Sequence, residues 1–246
     1  MGAASDWEDL SRNMAFAYRR IAERAGRPSY LDDDVSVADQ GVPFPFGANN
    51  VTVLRPVSDG ASIVRRADAV YKTRRYLVWS LWPVDLAALG FTRSESPAMV
   101  RPAGPLEATE TDLAVREVTD AAAAASFGRT LTAGFGYDQR GLTIAEVFNA
   151  DVLGDDRLRL WLGTLDARPV AASWSAVIDG HVGIYGVATV PDARRRGYGE
   201  ALTRAAIAVA PDLPATLQAS TMGRPLYERL GFKEVGRFEV WRPVAG

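Results

Sequence analysis

The strongest structural signal in the sequence is the stretch Val187-Ala188-Thr189-Val190-Pro191-Asp192-Ala193-Arg194-Arg195-Arg196-Gly197-Tyr198-Gly199. Its apolar first part predicts a strand, its basic part predicts a loop, and a helix is predicted to begin at once. In such a loop the backbone N–H groups converge at the positive end of the helix dipole, and glycines allow a phosphate to approach closely. The stretch therefore predicts a pyrophosphate-binding loop, and the alternative is a solvated basic turn.

Two common phosphate-binding motifs do not fit this loop. A P-loop requires a lysine directly after its last glycine, and no lysine follows Gly197 or Gly199. A dinucleotide-binding loop requires a third glycine or alanine, but Leu202 occupies that position. It also requires an acidic residue about twenty positions further on, where Ala219 and Ser220 stand. A third class of loop is therefore needed to explain the pattern.

The pattern Arg194-x-x-Gly197-x-Gly199, placed between a strand and a helix, resembles the acyl-CoA loop of the GNAT N-acetyltransferase superfamily. Residues 226–232, Leu-Tyr-Glu-Arg-Leu-Gly-Phe, are similar to a second motif of that family. The resemblance covers the elements predicted from Leu113 to Trp241. It departs from the family pattern at Ser220, where asparagine is common, and at Gly223, where alanine is usual.

The resemblance implies a V-shaped opening between the fourth and fifth strands of the second half, in which acetyl-CoA binds. Backbone groups of Ala188 and Val190 would pair with the pantetheine arm, and the amides from Arg195 to Glu200 would hold the pyrophosphate. The implied CoA-binding set, which includes no metal ligand, is Ala188, Val190, Arg194, Arg195, Arg196, Gly197, Tyr198, Gly199 and Glu200.

The resemblance also implies catalytic roles for Tyr227 and Ser220. Tyr227 would point at the CoA sulfur and protonate the departing thiolate, since a phenol with a pKa of about 10 suits a leaving group of similar basicity; the alternative is a core aromatic residue. The position that often holds a glutamate base is Gly183 here. The base is therefore a water relayed by backbone carbonyls or by Ser220, or else His181 or Glu146. Because the sequence contains no cysteine, transfer must pass directly from acetyl-CoA to an amine.

The chain divides into two halves, residues 1–105 and 112–246, at a segment with several prolines and glycines. The second half predicts the order βααβββαβαββ, which indicates an α/β fold around a mixed sheet. With the resemblance, we expect a GNAT-like, mainly antiparallel sheet flanked by helices. Leu89-Gly90-Phe91 matches Leu230-Gly231-Phe232, so we interpret the first half as a degenerate GNAT-like module; a chance match is the alternative. Its loop at residues 55–60 contains a proline and an aspartate, which oppose phosphate binding.

Local patterns predict the individual elements. Helices are predicted over residues 6–26 and 59–73, from a cap at Thr119 or Asp120 to about Leu131, and from the basic loop to about Ala210. Short helices are predicted over 84–89, 143–149 and 224–230. Residues 32–50 predict a long acidic loop whose Phe44 and Phe46 would pack into a neighbouring core, with a ligand-facing role as the alternative. Strands are predicted over 51–55, 76–82, 95–100, 113–118, 157–164, 170–178, 181–190 and 215–219, with a final pair of strands within 232–241.

Composition excludes several classes of function. The 246 residues are 48% hydrophobic and 24% charged, which is enough for a folded core. The net charge of −2 indicates no general nucleic-acid binding. The absence of cysteine excludes thiolate sites, and the single histidine excludes a histidine-rich metal site. The first ten residues lack the pattern of a secretory signal and no apolar run is long enough for a membrane span, so we expect a cytoplasmic protein that does not bind a membrane.

From these observations we expect an acetyl-CoA-dependent N-acetyltransferase that acetylates a primary amine, on a small molecule, as a monomer or homodimer. One alternative is acetylation of protein N-termini or lysines. Another is a non-catalytic acyl-CoA-binding regulator. The missing glutamate at Gly183 favours the regulator, whereas the intact motif around Tyr227 favours an enzyme.

Overall fold

The computed structural model describes residues 3–43, 48–72, 74–107 and 109–244, so the prediction for Phe44 and Phe46 lies outside the described residues. The α-helices are α1 (Ala3–Arg24), α2 (Gly60–Tyr71), α3 (Ala121–Gly134), α4 (Tyr198–Ile207) and α5 (Arg224–Arg229). The strands are β1 (Ser29–Leu31), β2 (Val35–Ala38), β3 (Asn50–Val53), β4 (Leu77–Ser80), β5 (Phe91–Arg101), β6 (Ala114–Glu117), β7 (Leu158–Leu165), β8 (Arg168–Ile178), β9 (His181–Thr189), β10 (Ala215–Gln218) and β11 (Lys233–Pro243).

Helices α2 and α3 each begin directly after an aspartate whose side chain caps the helix. Asp59 accepts a hydrogen bond from the Ala61 N–H at 3.0 Å, and Asp120 accepts one from the Ala123 N–H at 2.8 Å. These caps satisfy backbone donors that the first turn of a helix leaves unpaired. The cap predicted at Asp120 is therefore confirmed. Of the helices that the structure describes, none has the length and apolar character needed to cross a bilayer.

One compact unit combines residues 1–100 with residues 217–246. Its strands lie in the order β1-β2-β3-β4-β11-β5, in which β3 and β4 are parallel and the other neighbours are antiparallel. The C-terminal strand β11 thus lies between two strands of the N-terminal half. Helix α2 contributes Ile63, Ala67 and Tyr71 to the buried core of this unit.

The second compact unit comprises residues 101–216. Its strands β9, β8, β7 and β6 are antiparallel neighbours in that order. On α4, Tyr198 and Leu202 belong to one buried cluster with Leu113 and Val170. Helix α3 contributes Phe127 to a row of aromatic rings whose centres are 5.0, 5.7 and 4.5 Å apart: Phe127, Phe148, Trp174 and Tyr185. Both helices are therefore anchored by buried side chains.

The prediction of one long loop over residues 32–50 is wrong, because this segment contains the strand β2. All four residues of β2 are buried, and they pair with β3. The acidic residues before the strand form a turn in which Asp32 accepts hydrogen bonds from the N–H groups of Asp34 and Val35 at 2.8 and 2.9 Å. Aspartate is favoured in such turns. The acidic residues therefore indicate a turn, and they led to the prediction of a loop where a short strand follows.

The final pair of strands predicted within residues 232–241 is one strand, β11, with a register shift between Glu234 and Gly236. A Cβ atom at Gly236 would lie 2.6 Å from Nε1 of Trp7, and that same nitrogen donates to the Val235 carbonyl at 2.9 Å. The glycine is therefore required by the close approach of an indole ring. In the sequence it has the appearance of a turn between two strands.

The two Leu-Gly-Phe segments form the same local turn. In both segments the leucine and phenylalanine N–H groups donate to one carbonyl, that of Leu86 or of Tyr227. The glycine N–H donates to the carbonyl of the next residue, Ala87 or Glu228. Gly90 and Gly231 have φ values of 81° and 86°, which glycine adopts without strain. The helix predicted over 84–89 is a single 3₁₀ turn, Ala87–Leu89. A duplication of the two halves stays a prediction.

The predicted division into two domains, a degenerate module at residues 1–105 and a catalytic domain at 112–246, stays a prediction. The compact units follow another division, because residues 217–246 pack with residues 1–100. Strand pairing of β11 with β4 and β5 accounts for this difference.

Candidate active site

The loop between β9 and α4 has an unusual backbone shape. Strand β9 ends at Thr189, a 3₁₀ turn follows over Pro191–Ala193, and Gly197 precedes the first residue of α4. Arg195 and Gly197 have φ values of 63° and 82°. Where a residue with left-handed backbone follows one with right-handed backbone, their N–H groups point to the same side and form a concave anion-binding surface. No atom of the described residues lies within 4 Å of the position that a Cβ at Gly197 would occupy, so the loop is open there.

Five consecutive backbone N–H groups, from Arg195 to Gly199, have no hydrogen-bond acceptor within the described part of the chain. They lie at the positive end of the α4 dipole, where an anion is favoured. Glu200 differs, because its N–H donates to the Gly197 carbonyl at 3.0 Å. Of the six amides that were predicted to bind phosphate, the five that precede Glu200 are therefore the unpaired ones.

Arg194 and Arg195 have different surroundings. Arg194 donates from Nε to the Thr189 carbonyl at 3.1 Å and from Nη2 to the Gly134 carbonyl at 2.9 Å. Arg195 is exposed, and its side chain has no hydrogen bond or ion pair with any described residue. No sequence signal could have identified Gly134 as a partner of Arg194, since the two residues are sixty positions apart.

The side chains of Arg196, Tyr198 and Glu200 are engaged within the protein. Arg196 forms an ion pair with Asp112 at 2.6 Å, and its guanidinium lies 5.2 Å from the centre of the Tyr198 ring. Tyr198 itself is buried in the core. Glu200 forms an ion pair with Arg204 at 2.7 Å. Tyr198 can therefore serve a ligand only through its backbone.

The backbone of Val190 is already paired. Its N–H donates to the Val170 carbonyl of β8 at 2.9 Å. Backbone groups of successive strand residues point to opposite edges, so Ala188, which is in register with β8, points the same way as Val190. At this point of the strand, the N–H that faces away from β8 is that of Thr189. Pairing of Ala188 and Val190 with the pantetheine arm stays a prediction.

Tyr227 lies on the short helix α5 in the first unit. Its buried ring is in edge-to-face contact with Phe232, with the centres 5.9 Å apart. Burial raises the pKa of Tyr227 to about 12. Its hydroxyl has no hydrogen-bond partner among the residues that the structure describes. The side chain is therefore a neutral phenol with a proton available to donate.

Ser220 and Gly223 shape the turn that leads into α5. Ser220 Oγ accepts a hydrogen bond from the Gly223 N–H at 3.0 Å, and its carbonyl accepts one from the Arg224 N–H at 2.9 Å. A Cβ atom at Gly223 would lie 3.0 Å from Cε2 of Tyr227 and 3.2 Å from Ser220 Oγ. Glycine in place of the usual alanine therefore lets the Tyr227 ring approach the backbone of this turn.

The other candidate bases lie on different elements. His181 begins β9, at the opposite end of the strand from the loop, with Nδ1 3.1 Å from the Asp179 carbonyl. Glu146 is exposed on the 3₁₀ turn Ala145–Val147, which replaces the helix predicted over 143–149. Gly183 is buried within β9. A water relay for the amine proton stays a prediction.

Comparison with known proteins bears on the whole chain. Residues 156–234 match a family model described as acetyltransferase (GNAT) domain. A search of the curated proteins found no match. The chain is similar in structure to a GCN5-related N-acetyltransferase from Kribbella flavida, with 19% identity, a TM-score of 0.65 and coverage of 96% of each chain.

Two further solved structures are similar. One is a functionally unknown conserved protein from Staphylococcus epidermidis, with 14% identity, a TM-score of 0.63 and coverage of 88% of this chain and 93% of that one. The other is a GCN5-related N-acetyltransferase from Sphaerobacter thermophilus, with 15% identity, a TM-score of 0.56 and coverage of 100% of this chain and 95% of that one. At these identities the likeness shows the fold.

The family match includes both segments whose motifs carry the resemblance, the loop before α4 and the helix α5. The similar structures extend the same mixed, mainly antiparallel fold over nearly the whole chain. Residues 156–234 therefore match the acetyltransferase (GNAT) domain, and the chain has the fold of GCN5-related N-acetyltransferases.

Proposed function

We propose that the chain transfers an acetyl group from acetyl-CoA directly to the primary amine of a small molecule. The observation that carries the proposal is the set of five unpaired N–H groups from Arg195 to Gly199. These donors, the open space over Gly197 and the helix dipole together fit the oxygens of a pyrophosphate. Arg195 adds a positive charge beside them.

Acetyl-CoA supplies the acetyl group, whose bond to sulfur breaks as a bond to the amine nitrogen forms. Tyr227 holds its proton at neutral pH, so its hydroxyl can protonate the sulfur. The amine releases one proton in return. Because glycine stands at position 183, we assign that proton to water, for which the exposed hydroxyl of Ser220 is a suitable partner. One thiol forms for each amine that is acetylated.

Thiol release provides the test. The chain has no cysteine, so every thiol detected after mixing with acetyl-CoA comes from CoA. Diamines, amino-acid derivatives and amine-bearing antibiotics are compared with peptides that carry a free N-terminus or a lysine. The proposal expects faster release with one of the small amines. A clear preference for the peptides would contradict the acceptor class and support a protein acetyltransferase.

A second candidate function is that of a non-catalytic acyl-CoA-binding regulator. The observation that favours it is Gly183, which leaves β9 without a carboxylate at the position where the family often has a base. Calorimetry separates the two functions. A regulator binds acetyl-CoA but releases no thiol with any amine, whereas the proposed enzyme does both.

A further inference from the structure

We infer that the arginines of the loop have separate tasks: Arg194 is a positioning residue that fixes the phosphate-binding amides, and Arg195 is the cation that meets the phosphate. The inference rests on the proposed function, because it assigns tasks within the CoA-binding loop. It differs from the simpler view in which all three arginines contribute charge.

Arg194 connects the end of α3 with the end of β9. Gly134 is the last residue of α3, so its carbonyl belongs to the final turn, whose carbonyls have no partner within the helix. Arg194 Nη2 donates to this oxygen at 2.9 Å, while Nε donates to the Thr189 carbonyl at 3.1 Å. A planar guanidinium that is held by two carbonyls has a fixed orientation.

The two elements that Arg194 joins are in close contact at this point. A Cβ atom at Gly134 would lie 2.8 Å from Cβ of Ala188 and 3.3 Å from the Thr189 nitrogen. The end of α3 therefore rests directly on the last residues of β9. Since Arg194 immediately precedes the first unpaired amide, its two hydrogen bonds fix the place where the phosphate-binding backbone begins.

Arg195 has the opposite character. Its side chain is exposed and has no partner among the described residues, whereas Arg196 is paired with Asp112. Its φ of 63° is uncommon for a residue other than glycine and costs free energy. Residues with such a backbone occur in turns, as Asp166 and Asp179 do here, and also cluster at ligand-binding sites. Within the loop, the guanidinium that remains free to bind an anion is therefore that of Arg195, as far as the described residues extend.

Substitution by lysine distinguishes a geometric task from an electrostatic one. Lysine keeps the charge but is a compact point donor, which cannot hold two diverging carbonyls as the planar guanidinium does. At Arg194, lysine should therefore be no better than glutamine. At Arg195, lysine should retain function, because there the charge itself is required.

The experiment measures CoA binding to the full chain by calorimetry at several salt concentrations. The variants are Arg194→Lys, Arg194→Gln, Arg195→Lys and Arg195→Gln, with Arg12→Gln as a control for the loss of one exposed charge on α1. Both Arg194 variants should weaken binding about tenfold and keep the salt dependence of the wild type. Arg195→Gln should weaken binding about tenfold and reduce the salt dependence, while Arg195→Lys should remain within about threefold.

A second measurement reports on the loop itself. In the ligand-free protein, the hydrogen-bonded amides of Val190 and Ala193 should exchange faster in the Arg194 variants and at the wild-type rate in the Arg195 variants. In the thiol assay, all weakened variants should raise the KM for acetyl-CoA and leave kcat within about twofold. Should Arg194→Gln fail to fold, Arg194→Lys carries the comparison with Arg195→Lys alone.

Two results would overturn the inference: rescue of CoA binding by Arg194→Lys, or an equal loss of salt dependence in Arg194→Gln and Arg195→Gln. Either would show that Arg194 acts through its charge. Failure of the proposed function has a different signature, because the wild-type chain itself would then not bind CoA. The variants therefore test the division of tasks once the wild-type chain has been shown to bind CoA.

Discussion

At the scale of single residues, the ring of Tyr227 packs against Phe232, and the side chain is buried. Burial disfavours the phenolate, so the pKa of Tyr227 is raised to about 12. The neutral form, which is the proton donor, is therefore present in full throughout the physiological range. We propose that this neutral phenol is the group that protonates the CoA thiolate.

Replacing Tyr227 by phenylalanine tests this role directly. Tyr227→Phe keeps the ring and removes the proton, so CoA binding should be unchanged while kcat falls about 100-fold or more. Calorimetry and thiol release measure the two effects. Tyr76→Phe is a matched control, since Tyr76 is also a buried tyrosine of the first unit. Normal turnover in Tyr227→Phe would show that another group protonates the thiolate.

The pH profile tests the same assignment without a substitution. A donor is active while it is protonated, so activity should be lost only as the pH rises through the raised pKa, near 12. We expect kcat to increase as the acceptor amine loses its proton and then to remain level beyond about pH 10. A decline centred near pH 10, where an ordinary tyrosine ionises, would contradict a buried donor.

At the scale of elements, the turn between β9 and α4 combines backbone strain with unsatisfied donors. Arg195 and Gly197 are left-handed, and the five amides that they orient have no acceptor among the described residues. The left-handed backbone costs free energy in the ligand-free chain. An anion bound at the start of α4 would satisfy the donors and offset the strain.

Gly197→Asp should abolish CoA binding, with a Kd at least about 100-fold weaker, because it places a carboxylate where the pyrophosphate is expected. Calorimetry measures the loss. The control is Gly180→Asp, which changes a glycine of similar φ, 75° against 82°, that also has open space around it. That control should bind CoA normally, which separates the effect of charge at the loop from the effect of backbone strain. Unchanged binding in a folded Gly197→Asp protein would remove the assignment of this loop.

The elements that were predictable have local signals. Asp120 marks the start of α3, and Asp179-Gly180, with φ values of 48° and 75°, forms the two-residue turn expected between β8 and β9. The pairing of β11 with β4 and the bond from Arg194 to Gly134 connect distant parts of the chain, so no local pattern contains them. The acid proposed at Tyr227 comes from a motif. Which backbone groups of β9 face away from β8 depends on the register with that neighbouring strand, so no local pattern contains this information.

At the scale of the whole molecule, the two halves contain the same Leu-Gly-Phe turn but differ at the helix start where a phosphate could bind. In the first half, the start of α2 is capped by Asp59, whose carboxylate accepts the Ala61 N–H and pairs with Arg65 at 3.0 Å. A carboxylate of the protein thus occupies the place that an anionic ligand would need. We propose that residues 1–105 do not bind CoA.

The binding stoichiometry tests this proposal. The intact chain should bind one equivalent of CoA in a calorimetric titration, and Gly197→Asp should remove all of it. The expected reason is repulsion by Asp59 together with the missing N–H of Pro56. Binding of two equivalents, or one equivalent that survives Gly197→Asp, would contradict the proposal that only the second half binds the cofactor.

Removal of the first half should destroy the fold of the remainder. In a chain that begins at Leu106, β11 loses β5, with which it pairs along its length, and β4, with which it pairs over residues 239–241. We expect aggregation, measured by size-exclusion chromatography, since unpaired strand edges associate. Co-expression of residues 1–105 should restore soluble protein. A truncated chain that is soluble and fully active would instead show that the second half is independent.

The position of β11 has a consequence for protein synthesis. The ribosome delivers β4 and β5 early, but β11 emerges only after the whole of residues 101–216 has been made. During that interval β4 has an open edge that can pair with other nascent chains. Synthesis of the first unit thus begins before that of the second and ends after it. All of residues 101–216 are translated between its two segments.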